Sequence, residues 1–375
     1  MSDLLTEKQA GGLRCFAVVV PGLEGMAAAE LGMLAVHDIE PIEGGVVFSA
    51  SMDALCRVNL RSRTVTRVLV RLSGFKALSF PELYNKAKKI DWPRYIPDGR
   101  AVQVKASCHQ SRLMHSGRVQ QAVLDAIADK LKQADVSKSD GGQAQLVTVR
   151  LEHDACTVSI DSSGERLDRR GYRLLPGHAP IRETMAAGVL QWMDWKPDEP
   201  LLAPMCGSGT FAIEAALYGQ GRAVNIEHDF ALLHWPVLNR KRWQRVLDKA
   251  AGMHKDTPLA IEASDNDAAV LEQAKANADR AGVRDAIGFD EKDVREIRPA
   301  GQGGLMLINP PYGERIRGNA QTLYRDLGKL FREQFPGWRM AVIVPDQACE
   351  NALNMPVKRR LKLKHGGLWV HVLHF

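Results

Sequence analysis

Leu305-Met306-Leu307-Ile308-Asn309-Pro310-Pro311-Tyr312 is the stretch on which the reading of this chain turns. Four apolar residues in a row read as a short parallel strand, buried on both faces. Two prolines end it, because neither can donate to a sheet ladder and each fixes its own φ. The pattern predicts a rigid loop at the carboxyl end of a strand, the edge at which open α/β sheets take their ligands. An Asn side chain, backbone carbonyls and an aromatic ring held together there suit a flat base bearing an exocyclic amine. The plain alternative is that Asn-Pro-Pro is only a turn, and the strand ends around it have to decide.

From residue 200 onward, apolar strands alternate with helical patterns, which predicts a doubly wound parallel sheet. Strands are expected at 200–203, 259–263, 287–290, 305–308 and 340–344, with helices at 268–281 and 320–335 among those between them. Residues 359–375 read as two alternating strands about Gly366-Gly367. Leu201-Leu202-Ala203-Pro204-Met205-Cys206-Gly207-Ser208-Gly209-Thr210 is a strand, a glycine turn and a helix start. Its glycines let the backbone approach a ligand at the switch point of the sheet. The dinucleotide pattern fails at Ala212 and there is no phosphate-loop lysine. A nucleoside-bearing cofactor and a plain tight turn both remain open. Asp265, at the end of the next strand, can accept from two ribose hydroxyls, with Asn266 beside it and Asp267 a possible helix cap. Asp293, after the third strand, can accept from an adenine amine or cap its own turn.

The first half reads as two α+β units. One has strands at 14–20 and 45–49 with helices at 23–34 and 52–60. The other begins with a long strand at 65–75, then a helix capped by Ser79 with Pro81 in its first turn. It continues with a strand at 101–107, a helix at 116–132 and strands at 145–151 and 156–161. The polar segment 107–118, ending in Arg118 at a helix entrance, suits phosphate or is a solvated loop. Residues 137–142 read as an exposed loop. Asp168-Arg169-Arg170-Gly171-Tyr172-Arg173 is a compact basic segment that either meets RNA phosphate or clamps a domain interface by ion pairs. Residues 179–184 are expected to start a helix that runs to about 192, with Pro180 near its first turn.

A chain of 375 residues implies two or three domains. Nothing in it is apolar for long enough to cross a membrane, and residues 1–8 read as a frayed tail rather than a signal peptide. The six cysteines are scattered without a CxxC pair, so neither a metal site nor a disulfide framework is expected, and a reduced, cytoplasmic setting is. A net charge of +6 fits a polyanionic partner.

The chain resembles the THUMP-domain RNA guanine-N2 methyltransferases, in particular the bacterial 23S rRNA enzymes of the RlmL type. The resemblance runs through Gly44-Gly45-Val46-Val47-Phe48, Asn59-Leu60-Arg61-Ser62-Arg63-Thr64, Ile90-Asp91-Trp92-Pro93, Arg169-Arg170-Gly171-Tyr172-Arg173, Pro204-Met205-Cys206-Gly207-Ser208-Gly209-Thr210, His228-Asp229-Phe230-Ala231 and Asn309-Pro310-Pro311-Tyr312-Gly313-Glu314-Arg315. It implies a ferredoxin-like domain over 1–64, a THUMP RNA-binding domain over 65–165, and a Rossmann-like class I methyltransferase domain with a linker helix over 166–375. The terminal hairpin at 359–375 fits that class.

What the resemblance further implies is transfer of a methyl group from S-adenosylmethionine, leaving S-adenosylhomocysteine, to the N2 of a guanine. Asn309, Pro310, Pro311 and Tyr312 would hold the base. Pro204, Cys206, Gly207, Ser208, Gly209, Thr210, Glu183, Asp265, Asn266, Asp293 and Asn309 would line the cofactor, and Arg118, Arg169, Arg170 and Arg173 would meet RNA. The implied partner is 23S rRNA or a pre-ribosomal particle, with no membrane and no metal. Ala203 departs from the family, which usually has Asp there. Losing that carboxylate removes a charge-assisted hydrogen bond worth ~1.5–3 kcal/mol, about ten- to a hundredfold in affinity, for which Glu183 is expected to compensate. A tRNA guanine-N2 enzyme, an adenine-N6 enzyme and a catalytically silent RNA-binding protein are the competing readings.

Overall fold

The computed structural model of the chain describes residues 12–133, 136–137, 143–174, 181–299, 301–311 and 320–375. The amino-terminal tail, most of the 137–142 loop, Pro180 and Tyr312 lie outside these residues. The chain divides into two compact units. The first holds the residues up to Val18, Ala28–Leu167 and His228–Lys249; the second holds Val19–Ala27, Asp168–Glu227 and Ala250–Phe375.

In chain order the amino-terminal elements are β1 (Leu13–Val19), α1 (Glu24–Gly32), β2 (His37–Ile42), β3 (Gly45–Ala50), α2 (Met52–Arg61), β4 (Val65–Lys76), α3 (Phe80–Lys88), β5 (Val102–His109), α4 (Ser116–Leu131), β6 (Gln145–Glu152) and β7 (Ala155–Asp161). Their strands form one sheet in the order β2-β3-β1-β4-β7-β6-β5. The division expected at residue 64 falls where β4 begins, and β4 lies between β1 and β7, so both amino-terminal parts share this sheet. The edge strand β2 has no counterpart in the sequence expectation. His-Asp-Ile-Glu-Pro-Ile carries little apolar alternation, as befits an exposed edge that a proline can occupy.

Several motif residues of this unit turn out to be structural. The buried Glu30 carboxylate accepts from the Ser62 hydroxyl (2.8 Å), Arg63 N (2.7 Å) and Thr64 N (3.1 Å). Asn59 donates to Ser162 Oγ at 3.0 Å, and its own Oδ1 accepts from the Ser163 hydroxyl at 2.7 Å. Trp92 is fully buried and donates to Ala87 O at 2.9 Å.

The later elements are α5 (Glu183–Trp192), β8 (Leu201–Pro204), α6 (Thr210–Gly219), α7 (Arg240–Ala251), β9 (Ile261–Asp265), α8 (Ala268–Arg280), β10 (Gly288–Glu291), β11 (Leu305–Ile308), α9 (Ala320–Gln334), β12 (Arg339–Val344), α10 (Gln347–Leu353), β13 (Arg359–His365) and β14 (Leu368–His374). Their strands form a second sheet, β10-β9-β8-β11-β12-β14-β13. The pairings from β10 to β12 are parallel. β14 runs antiparallel between β12 and β13, so the basic strand β13 is the edge. β11 is buried along its whole length, as four consecutive apolar residues in mid-sheet require. Tyr324, Phe331, Phe335 and Trp338 belong to the apolar cluster that includes Met306, Ile308 and Met340.

Helix α9 meets α10 without room for a side chain at Gly328, where a Cβ would lie 2.0 Å from the Leu353 carbonyl oxygen. Gly328→Ala should therefore force the helices apart and cost about 1–3 kcal/mol. The check is a lowered urea midpoint; an unchanged midpoint would show that the packing relaxes freely.

Candidate active site

β8 and β11 are parallel neighbours, and the strand order reverses between them. Loops leaving their carboxyl ends border the switch-point crevice. After β8, Met205, Gly207 and Gly209 all have positive φ, at 52°, 54° and 77°, which folds the loop back tightly before α6 begins at Thr210. A Cβ at Gly207 would meet nothing within 4 Å, so the backbone there is open to a ligand. The loop is pinned at four points. Cys206 N donates to Ser264 O at 2.9 Å and Gly207 N to Asp265 Oδ2 at 3.0 Å. Asn277 donates to Ser208 O at 2.9 Å, and the Ser208 and Thr210 hydroxyls bond at 3.0 Å. Burial, with the nearby Asp265 charge, pushes the Cys206 thiol up to about 12, so it stays neutral and is no nucleophile near pH 7.

Asp265 ends β9 and braces this loop. Its other oxygen accepts from Asp267 N at 3.2 Å, and a carboxylate has lone pairs left for ribose hydroxyls. Asn266 is exposed beside it. Asp267 caps α8, accepting from Ala269 N and Val270 N at 2.9 and 3.2 Å. Asp293 serves its own turn: it accepts from Arg295 N at 2.9 Å and pairs with the Arg295 guanidinium at 3.3 Å. Across the switch point, Asn309 follows β11. Its Oδ1 is buried and has no hydrogen-bond partner among the described residues. Pro310 is buried and Pro311 half-buried behind it.

The basic segment resolves largely into structure. Arg170 is buried, with Nε 3.4 Å from Glu214 Oε1 and Nη1 donating to Asn225 at 3.1 Å. Tyr172 donates its hydroxyl to the same Glu214 oxygen at 3.2 Å. Arg173 donates to Ile181 O at 3.2 Å and pairs with Glu183 at 2.7 Å. Assigning Arg170 and Arg173 to RNA is thus corrected: their guanidinium groups pair with buried carboxylates inside the second unit, so the segment is held by ion pairs within its own unit. Arg169 is exposed. Arg118 is exposed in the first turn of α4, its guanidinium 4.0 Å from the centre of the Phe80 ring. The N-cap position of α4 is His115, and its side chain makes no capping bond.

Glu183 opens α5 and is buried, and that burial pushes its carboxyl up to about 7 from an ordinary value near 4.5, against the pull of Arg173. A carboxyl raised in the folded state binds more protons there than when unfolded, so its stabilisation is full below about pH 4.5 and declines as pH rises to about 7. Glu183→Gln should flatten that decline. Urea midpoints of the two proteins at pH 5 and pH 8 test it, and parallel declines would show that Glu183 does not titrate in this window. Calorimetry on the same variant tests compensation for Ala203: unchanged cofactor affinity would rule it out.

Sequence reasoning missed Asn277 and Glu214. The available signal was a polar residue inside each helix, where Asn is disfavoured unless its side chain is engaged.

Residues 170–372, more than half of the chain, match the RMKL-like methyltransferase domain. The chain belongs to the RMKL-like methyltransferase family. This family member also matches the RlmL ferredoxin-like domain over 14–69 and the THUMP domain over 77–161. It is 35% identical to YpsC of Bacillus subtilis (strain 168), named as a candidate RNA methyltransferase, over 92% of this chain and 91% of that one. SMU.472, named as a candidate methyltransferase and solved with SAH, superposes with a TM-score of 0.88 at 29% identity, covering 98% of both chains. A protein of Listeria monocytogenes str. 4b F2365, named as a predicted N6-adenine-specific DNA methylase, superposes with a TM-score of 0.88 at 31% identity over 97% of this chain and 96% of that one. The RMKL-like chain is an S-adenosylmethionine-dependent RNA methyltransferase with ferredoxin-like, THUMP and class I methyltransferase domains. Among the described residues no helix is long and apolar enough to cross a membrane, and no group of side chains is arranged to hold a metal.

Proposed function

We propose that the enzyme methylates the exocyclic N2 of a guanine in 23S rRNA, free or within a pre-ribosomal particle, in the cytoplasm. The observation that carries methylation of an exocyclic amine is the buried Oδ1 of Asn309 at the carboxyl end of β11, which has no hydrogen-bond partner among the described residues. An acceptor left unsatisfied costs ~1–3 kcal/mol, and a donor on the substrate would recover that. The Gly207-Ser208-Gly209 backbone and the Asp265 carboxylate are the groups that would hold the cofactor. When bound, S-adenosylmethionine supplies an electrophilic sulfonium methyl, so no covalent enzyme intermediate is needed.

Guanine N2 is a weak nucleophile because its lone pair is delocalised into the ring. Asn309 Oδ1 and the Pro310 carbonyl would each accept one N–H, fixing the amine and directing its lone pair. Positioning of this kind supplies up to ~7–11 kcal/mol in favourable systems. Tyr312 would stack on the extruded base, an interaction worth ~1–3 kcal/mol. The same clamp fits an adenine N6; the RlmL-type ferredoxin-like match is what favours guanine and ribosomal RNA.

The test is nucleoside mass spectrometry of rRNA and tRNA from a strain lacking the gene, followed by methylation of that RNA with purified protein. N2-methylguanosine missing from 23S rRNA and restored in vitro is the expected result. A change confined to tRNA or to N6-methyladenosine overturns the substrate assignment. No transfer at all, with no binding of S-adenosylhomocysteine, would mark a silent RNA-binding protein.

A further inference from the structure

Residues 228–249 leave the catalytic stretch of the sequence, yet they belong to the first compact unit, with the THUMP domain. Their attachment is built from buried groups. Phe230 is fully buried. Leu232 N donates to Ser162 O at 3.0 Å and Val237 N to Arg94 O at 3.1 Å. Trp235 donates to the Gln145 side chain at 2.9 Å and meets the Tyr95 ring edge-on at 5.1 Å. Helix α7 then packs Trp243 edge-on against Phe230 at 5.6 Å and buries Val246.

The outward face of α7 is basic. Lys241, Arg245 and Lys249 fall at i, i+4 and i+8, one stripe along the helix, and all three are exposed. Among the described residues no ion pair takes up any of them, whereas Arg242 lies 3.6 Å from Asp53. The segment carries five Lys and Arg against two acids. Both acids have local partners: Asp229 pairs with His234 at 2.8 Å and Asp248 accepts from Gln244 at 2.9 Å. A solvated helix face usually alternates sign to gain i,i+4 pairs. This one leaves a single-sign row on an RNA-binding unit, with the charge left for a polyanion.

We propose that α7 is an RNA-binding element, its Lys241–Arg245–Lys249 stripe holding the phosphate backbone of the substrate RNA. The proposal rests on the RNA methyltransferase assignment and extends its RNA surface beyond the THUMP domain. The stripe reads charge and not sequence, so its loss weakens binding across RNAs alike.

The test compares the triple variant K241Q/R245Q/K249Q with the charge-preserving K241R/R245K/K249R. The probes are a fluorescein-labelled, unmodified 23S rRNA transcript and labelled unfractionated tRNA, titrated at several salt concentrations. The neutral variant should bind at least tenfold more weakly near 0.15 M salt. Its slope of log affinity against log salt should shallow by about 2, since each phosphate no longer neutralised removes about 0.7. The charge-preserving variant should match the parent, and both should bind S-adenosylhomocysteine as the parent does. An unchanged slope in the neutral variant, with an unchanged melting temperature, overturns the proposal. An equal loss in both variants overturns it too, since shape and not charge would then be at work. A parent protein that ignores the 23S transcript but binds tRNA counts against the 23S assignment alone, and the helix is then read on tRNA.

Discussion

Asn309→Ala should lower turnover on the order of a hundred- to a thousandfold, the range found when one aligned polar group is removed from a reacting centre. The affinities for RNA and for S-adenosylhomocysteine should each move by only a few-fold. The reasoning is geometric. Asn309 follows a strand buried along its whole length and precedes a buried proline, so its backbone position does not depend on its side chain. What the substitution deletes is a buried acceptor with no partner among the described residues. Stability should therefore hold or rise slightly, because an unsatisfied group is removed. Single-turnover methylation, with anisotropy for RNA and calorimetry for S-adenosylhomocysteine, separates these quantities. Asn309→Asp keeps an oxygen in place and should retain more activity than the alanine variant. If turnover and RNA affinity fall together, Asn309 shapes the loop and does not hold the amine.

The second large effect is on stability. Arg170→Met should destabilise the protein by roughly 3–5 kcal/mol, the usual cost of removing one member of a buried ion pair. In a unit of this size that lowers the melting temperature by about 10 °C. Arg170 and Glu214 are both almost wholly excluded from solvent, and Glu214 Oε2 already lacks a hydrogen-bond partner among the described residues. Stripping the guanidinium would leave the Tyr172 hydroxyl as the donor on the other oxygen. The double variant Arg170→Met/Glu214→Gln should recover a good part of the loss, because the isolated charge is gone. RNA binding supplies the contrast. A melting temperature that stays put while the salt dependence of RNA binding shallows would return Arg170 to the RNA surface.

Much of this architecture could be read from residues. The strand at 305–308 was legible to the residue, because an unbroken apolar run closed by two prolines has few other uses. The glycine turn after β8 was legible because positive φ favours glycine, and the acid was read at the carboxyl end of β9, where it lies. β2 was not, since an exposed edge strand needs no apolar alternation. Nor were the partners of the Arg-Arg-Gly-Tyr-Arg segment. Arginine serves phosphate and buried carboxylate with the same fork of donors, and only the fold brings Glu214 and Glu183 to it. Asp265 shows a subtler limit. Its type and place suggested a ligand-binding role, but not that the same carboxylate takes the Gly207 amide and thereby sets the loop beside it.

The threading of residues 228–249 into the amino-terminal unit bears on modularity. Cutting the chain at residue 166 gives two fragments that match the boundaries seen in sequence, but neither inherits a finished core. The first loses Phe230 and Trp235 and bares the Gln145 and Tyr95 surfaces they seal; the second carries those same side chains with nothing to cover them. The two halves of this chain are not independent cassettes: to be separated whole, residues 228–249 would have to go with the amino-terminal unit and Val19–Ala27 with the carboxy-terminal one.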